Sequence, residues 1–363
     1  MAEYPVIQVD LTLLAHNARV IRAACLGQGI QLAAVTKGVC ANPDIVQALV
    51  LAGVDMLADS RTQNLARLPK GLPRLSLRVS DPAQAEATVL HSEYSLQSSL
   101  AVVTELGAVA RKLNRPHQVV LMVDLGDLRE GVWHRDREGI HALARAVLRQ
   151  EGLSLAGLGT NLTCFGGILP DQRNLGILLD IARDLRAGLG IPLPLVSGGN
   201  SSALGLLFSG KLPAGINHLR IGEGLLLGRD TATGQPLPQL SQRVFTLSAR
   251  LVEVYHKPSL PEGSTGPNAF GEWLRFEDQG PMRRGILAIG RQDCDETGLN
   301  PLNPSVKILG ASSDHLLVDL SQAPEYQVGD SLSFIPAYGS LLRAYTSAYV
   351  AKAVKTSEGE KPA

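Results

Sequence analysis

A parallel (β/α)8 TIM-type barrel followed by a mostly-β C-terminal domain is the fold class this sequence predicts. Three observations point there. From Leu11 to about Gly228, short apolar strand patterns alternate with helical ones, the rhythm of parallel βα units. The strand patterns in that stretch fill the complement of a closed barrel, with an open sheet as the alternative. Beyond Arg229 the alternation stops and strand follows strand.

The elements follow in order. Val6-Ile7-Gln8-Val9 reads as an extra strand joining the C-terminal sheet. Asp10 can cap a helix whose Leu14, Ala18 and Ile21 share one face. The barrel strands are then Ile30–Lys37, Val54–Ser60, Arg74–Ser80, Tyr94–Gln97, Gln118–Gly126, Leu155–Thr163, Leu193–Gly199 and Leu219–Gly228. Helical patterns between them include Pro43–Ala52, Leu100–Leu113, Ile140–Gln150 and Gln172–Leu189. Thr231-Ala232-Thr233-Gly234-Gln235-Pro236 reads as a linker. After it come strands at Val244–Tyr255, Gly285–Ile289, Val306–Leu309, His315–Leu320 and Ser331–Ile335. The expected division is a barrel over 11–230, a β domain from 1–10 and 231–352, and a flexible tail over 353–363.

Composition narrows the function classes. The 363 residues suffice for a barrel plus a second domain. A formal net charge of +0 argues against nucleic acid or an anionic membrane as partner. No segment is apolar for long enough to span a bilayer, and the N-terminus lacks a secretory pattern. Cys25, Cys40, Cys164 and Cys294 form no Cys-x-x-Cys pair. Reduced thiols in a cytoplasmic protein, and no structural zinc, are expected.

In such a barrel, chemistry collects where strands end. Lys37 stands where an apolar strand gives way to a helix, and partial burial there favours a neutral amine able to form a Schiff base. Val123-Asp124-Leu125-Gly126-Asp127-Leu128-Arg129-Glu130-Gly131 is a charged loop; Arg129 can grip a carboxylate, or the loop is simply solvated. Asn161 ends the sixth strand with a neutral donor and acceptor. Gly198-Gly199-Asn200-Ser201-Ser202 offers backbone amides and hydroxyls to an anion, or is a turn with a serine cap. Arg220, between Leu219 and Ile221, is expected to face inward, with Gly222 and Glu223 adding backbone N–H groups to the same anion. An amine, a carboxylate clamp, a phosphate cradle and an inward arginine together fit pyridoxal 5'-phosphate.

On these motifs the chain resembles the alanine racemase family of fold-type III pyridoxal-phosphate enzymes, and within it the alanine/ornithine racemase branch. The resemblance implies that Lys37 holds the cofactor as a Schiff base and moves a proton at the substrate α-carbon. It implies that Arg129 lies near the substrate carboxylate, in the position of the family's Val-Asp-x-Gly-x-x-Arg arginine. Asn200 and Ser201 match its phosphate step, Arg220 its pyridine-nitrogen arginine, and Gly222 and Glu223 its phosphate-binding amides. A head-to-tail homodimer with shared active sites is implied as well.

Several positions depart from the family pattern. Asn161 stands where a histidine flanks the pyridine-binding arginine. Gly38-Val39-Cys40-Ala41 lacks the family's phosphate-binding tyrosine, leaving Tyr349, or alternatively Tyr338, for that contact. The family's second base, a tyrosine of the partner subunit, corresponds to Gly266-Pro267-Asn268-Ala269-Phe270-Gly271, and Phe270 transfers no protons. Asp293 and Cys294, in Gly290-Arg291-Gln292-Asp293-Cys294-Asp295, are the replacements, Cys294 reading more simply as a packing residue. His315 and Asp319 share a face if both lie on one strand; His315 as proton donor or as structural histidine is weighed above a metal, and none is expected.

The expected activity is racemisation of a small or basic amino acid, ornithine or alanine foremost. Asp127 and Glu130 are open either to a side-chain ammonium or to solvent. The rivals are decarboxylation, D-amino-acid aldol cleavage or dehydration with the same cofactor, a non-catalytic pyridoxal-phosphate carrier, and a cofactor-free aldolase using Lys37.

Overall fold

The structure, a computed structural model, describes residues 3–356 and 359–362. In chain order its elements begin with β1 (Val6–Asp10), α1 (Leu11–Leu26), β2 (Gln31–Val35), α2 (Pro43–Leu51), β3 (Met56–Asp59) and α3 (Thr62–Arg67). They continue with β4 (Arg74–Ser76), α4 (Ala85–His91), β5 (Tyr94–Gln97), α5 (Leu100–Lys112), β6 (His117–Asp124), β7 (Val132–Trp133), α6 (Arg137–Arg149) and β8 (Leu153–Gly159). Next are α7 (Gln172–Leu189), β9 (Leu195–Ser197), α8 (Leu204–Phe208), β10 (His218–Ile221) and α9 (Glu223–Leu227). The last are β11 (Phe245–Pro258), β12 (Pro281–Leu287), β13 (Leu299–Pro301), β14 (Lys307–Ala311), β15 (Leu316–Asp319), β16 (Ser331–Pro336), α10 (Tyr338–Thr346), β17 (Ala351–Thr356) and β18 (Gly359–Pro362).

The chain divides into two compact units, Leu13–Gln242 and Met1–Thr12 with Arg243–Ala363. In the first, β2, β3, β4, β5, β6, β8, β9 and β10 pair in parallel, and β10 returns to β2. This is the closed parallel barrel; β7 merely extends β6. Residues two apart fill the interior: Ala33 and Val35, Met56 and Ala58, Val120 and Met122. Outside, Val89 of α4 packs with Val102, Leu106 and Val109 of α5. The helix starts are written locally. Asn42 accepts from the N–H of Asp44 and Ile45 ahead of α2, and Asp171 and Asn174 form a reciprocal cap on α7.

The unit closes later than the linker pattern suggested. Arg229 bridges to Pro236, Asp230 collects the turn through Ala232 N–H and Thr233 Oγ1, and Asn17 holds Ser241. Residues 231–242 are therefore fastened to the barrel unit. Lys37 opens a single 3-10 turn after β2 ends at Val35, and Gly222 splits the expected strand 219–228 into β10 and α9.

The other unit is a mostly antiparallel sheet. Along β11, Phe245, Leu247, Ala249 and Leu251 are buried while their neighbours face outward. Its first half pairs with β1 and β16, its second with β12, across a register shift at Leu251/Glu253. Two expectations need correction. Residues 353–356 are not a flexible tail: β17 pairs in parallel with β1 and antiparallel with β18, because Val354 is fully buried and continues the sheet. His315 lies in a turn rather than on a strand. Its N–H donates to Ser312 Oγ, and β15 starts only at Leu316, so the shared face with Asp319 does not exist.

Candidate active site

Lys37 follows Val35 by two residues, and Val35 faces the barrel interior. The turn that presents it is pinned from behind. Thr36 Oγ1 donates to Asp59 Oδ2 at 2.7 Å, and Thr36 O receives Val39 N–H and Ala41 N–H. Cys40 and Ala41 both take φ of 50°, a left-handed conformation that L-residues adopt only under constraint. The Lys37 side chain reaches solvent through the barrel mouth, yet its pKa is lowered. Surrounding protein that displaces water is the main cause, and the Arg129 guanidinium adds repulsion.

Arg220 comes from β10, opposite Ala33, and is 2% exposed. Its guanidinium donates to Thr160 O at 2.6 Å, to Asn161 Oδ1 at 2.8 Å and to Ser197 Oγ. Burial lowers its pKa to about 10, which still leaves it charged at neutral pH; Glu130 works in the opposite direction. Behind it, Ser197 Oγ lies 2.7 Å from Nδ1 of the fully buried His218. Burial pushes His218 down to about 3, so it is neutral.

The loop after β6 brings Arg129 and Glu130 to the same mouth. They form a two-pronged ion pair, and Asn161 Nδ2 also donates to Glu130 Oε1. Burial opposes ionisation of Glu130, but the Arg129 contacts overcome it and its pKa is lowered. Asp127 is 1% exposed and accepts N–H groups from Cys164, Phe165 and Ile168. It fastens one loop to the next and offers nothing to a substrate ammonium, which corrects the expectation for that residue.

The anion cradle forms after β9 and β10. Asn200 Oδ1 accepts Ser202 N–H, and its Nδ2 donates to Leu162 O at 2.9 Å and to Cys164 Sγ at 3.1 Å. Ser201 Oγ gathers the N–H groups of Gly222 and Gly224 at 3.3 and 3.1 Å. A Cβ at Gly222 would meet Val35 Cβ at 3.1 Å, so backbone alone occupies this edge. Ser202 Oγ and Thr160 Oγ1 are buried without a partner among the described residues. The Glu223 carboxyl is half-buried, and that burial raises its pKa. An amine with a lowered pKa, an inward guanidinium, convergent amides and a buried unpartnered hydroxyl together fit pyridoxal phosphate.

The barrel thus brings together Lys37, Arg129, Asn161, Asn200, Ser201, Arg220, Gly222 and Glu223. Asp293, His315 and Tyr349 belong to the other unit. Asp293 is buried and accepts Ser347 Oγ at 2.6 Å. His315 is exposed, and Tyr349 is 69% exposed. Cys294 is fully buried, and burial pushes its thiol up to about 12, the character of an inert packing cysteine. Among the described residues no cluster of three or more His, Cys, Asp or Glu is placed to hold a metal. Sequence reasoning missed Ser197 and His218, although strand parity places Ser197 with Leu195 and His218 with Arg220. It also missed Asp59, which no local pattern marks.

Comparison with known proteins gives the family. Residues 9–230 match the family described as alanine racemase, N-terminal domain. Over 352 residues the chain is 44% identical to ornithine racemase of Acetoanaerobium sticklandii, covering 96% of this chain and 99% of that protein. It is 37% identical to lysine racemase of Thermotoga maritima over 357 residues, with 98% and 99% covered. The solved alanine racemase of Clostridium difficile 630 shares the fold, with a TM-score of 0.72 at 16% identity over 99% of this chain and 98% of that one. The chain belongs to the alanine racemase family and is an amino-acid racemase.

Proposed function

We propose that this protein is a pyridoxal-phosphate-dependent racemase of a basic amino acid, with ornithine as the preferred substrate. The observation that carries the cofactor is the convergence of Lys37, Arg220 and the Ser201–Gly222–Gly224 cradle in one barrel mouth. The substrate class is supported by two relatives, named for ornithine and lysine, that align along nearly the whole chain.

Lys37 would hold the cofactor and Arg220 would donate to its ring nitrogen. Asn200, Ser201 and the amides around Gly222 and Glu223 would receive its phosphate. When bound, the cofactor supplies an electron-withdrawing ring that acidifies the substrate α-carbon. Lys37, with its lowered pKa, takes or returns the α-proton on one face. Arg129 orients the substrate carboxylate with its guanidinium fork. Arg220, still charged at neutral pH, would offer the ring nitrogen a hydrogen-bond donor without giving up its proton, which would leave that nitrogen unprotonated.

The opposite face requires a second group in the complementary protonation state. Asp293 is the proposed group and His315 the alternative; Tyr349 is the proposed further phosphate ligand. These three assignments rest on residue chemistry. A head-to-tail homodimer supplies the second group from a partner copy in this reading. The four free cysteines fit a reducing cytoplasm. Among the described residues no helix is long and apolar enough to cross a membrane.

Incubation with D- or L-ornithine in deuterated water tests the activity. Deuterium at the α-carbon with loss of optical rotation is the expected result. Release of ammonia, carbon dioxide or an aldehyde would overturn it in favour of another reaction with the same cofactor.

A further inference from the structure

We propose that Glu130 is a positioning residue that couples the two arginines of the barrel mouth, holding Arg129 directly and Arg220 through Asn161. The proposal rests on the reading above for what each arginine binds.

Three carboxylates stand at the end of β6 and on the loop after it, and among them only Glu130 is aimed at side chains. Asp124 Oδ1 accepts the N–H groups of Gly126 and Leu128. Asp127 is consumed by the N–H groups of residues 164, 165 and 168. Glu130 instead takes the Arg129 fork and the Asn161 amide. A fork between adjacent residues needs a sharply folded backbone, and the loop supplies it. Leu128 has φ of 55° and Gly131 φ of 130°. A Cβ at Gly131 would lie 2.5 Å from Asp124 N, so the loop closes on itself where only glycine fits.

Asn161 is the connector. Arg220 offers only donors and the Glu130 carboxylate only acceptors, so the amide orientation between them is forced. The carbonyl end faces Arg220 and the NH2 end faces Glu130. Arg220 otherwise touches neutral acceptors, Ser197 Oγ and Thr160 O. A buried guanidinium with neutral partners needs a counter-charge close by, and Glu130 is the carboxylate that acts on it. One carboxylate thus balances a half-exposed arginine able to grip an incoming carboxylate and a buried arginine at the cofactor. Glu130 occupies Nε and one Nη2 hydrogen of Arg129, so the remaining donors can grip a substrate carboxylate while Glu130 holds the guanidinium in place. Glu130 thereby fixes the Asn161 amide, and that amide in turn fixes Arg220.

The test uses the full chain loaded with pyridoxal phosphate and ornithine as substrate, comparing wild type with Glu130→Gln and Asn161→Ala. Losing a charge-assisted contact predicts that Glu130→Gln raises KM for ornithine about tenfold or more, with a smaller change in kcat. It should also displace the absorption maximum of the bound cofactor and weaken cofactor affinity. Asn161→Ala keeps every charge and the Arg129–Glu130 fork. It is expected to displace the absorption maximum while KM stays within about threefold. A wild-type KM in Glu130→Gln, or a wild-type spectrum in Asn161→Ala, overturns the proposal. If Glu130→Gln does not fold, the Asn161→Ala spectrum decides alone. Wild-type protein that binds no pyridoxal phosphate overturns the reading of function and this proposal with it. Racemisation by wild type with both variants unchanged overturns this proposal only.

Discussion

Lys37 and His218 are both bases whose pKa values fall because protein replaces water around them. For Lys37, the folded pKa lies below the ordinary 10.5. Between those values the unfolded chain carries a proton that the folded chain lacks. Stability of the cofactor-free protein therefore rises with pH through that window, and Lys37→Met should flatten the rise in urea midpoints. In labelling by a small aldehyde followed by reduction near neutral pH, Lys37 is expected to react ahead of exposed Lys70; equal labelling would contradict the lowered pKa. His218 and His117 behave in the opposite pH range. Burial pushes them down to about 3 and about 4, so stability falls as pH drops below 6.5 and the unfolded chain gains protons first. Lys37 and Arg220 were legible in the sequence because a charge amid strand-forming apolar residues stands out. The Arg129–Glu130–Asn161 chain was not, since it depends on how two distant loops meet.

The loops after β6 and β8 act as one element because Asp127 stitches them. Replacing its buried carboxylate removes charge-assisted acceptors from three backbone amides of the loop after β8. Asp127→Ala is expected to cost about 2–4 kcal/mol of stability, measured by denaturant unfolding. It should also lower cofactor affinity, because Cys164 and Leu162 contact Asn200 of the anion cradle. Strand identity was readable from short apolar runs. Strand ends were less so, since Leu219–Gly228 reads as continuous until Gly222 turns the chain into α9. The polar sequence over 353–363 suggested a frayed tail, but an edge of the sheet needs only alternate burial, and Val354 provides it. Ending the chain after Val350 should leave β1 with one unpaired edge and make the protein prone to association.

At the scale of the whole molecule, the two units carry separate shares of the proposed chemistry, Lys37 in one and Asp293 in the other. The head-to-tail reading makes a specific expectation for mixed dimers. Lys37→Ala and Asp293→Asn proteins, each impaired alone, should regain up to about a quarter of wild-type activity after subunit exchange. Half the dimers are then mixed, and each mixed dimer has one intact site of two. No recovery would place both residues in the same copy's site. The sequence showed the division into barrel and sheet because its hydrophobic rhythm changes near residue 230. It did not show that residues up to 242 stay with the barrel, since that depends on Asn17 reaching Ser241 across the fold.

The pairing of β1 has a consequence for the order of events during translation. β1 emerges first, but its neighbours in the sheet are β11 and β17, which the ribosome makes much later. The strands that close the barrel all lie within residues 31–221 and are complete before β11 appears. The nascent chain can therefore complete its barrel strands while its first strand waits, and β1 gains its second neighbour only as synthesis nears the end.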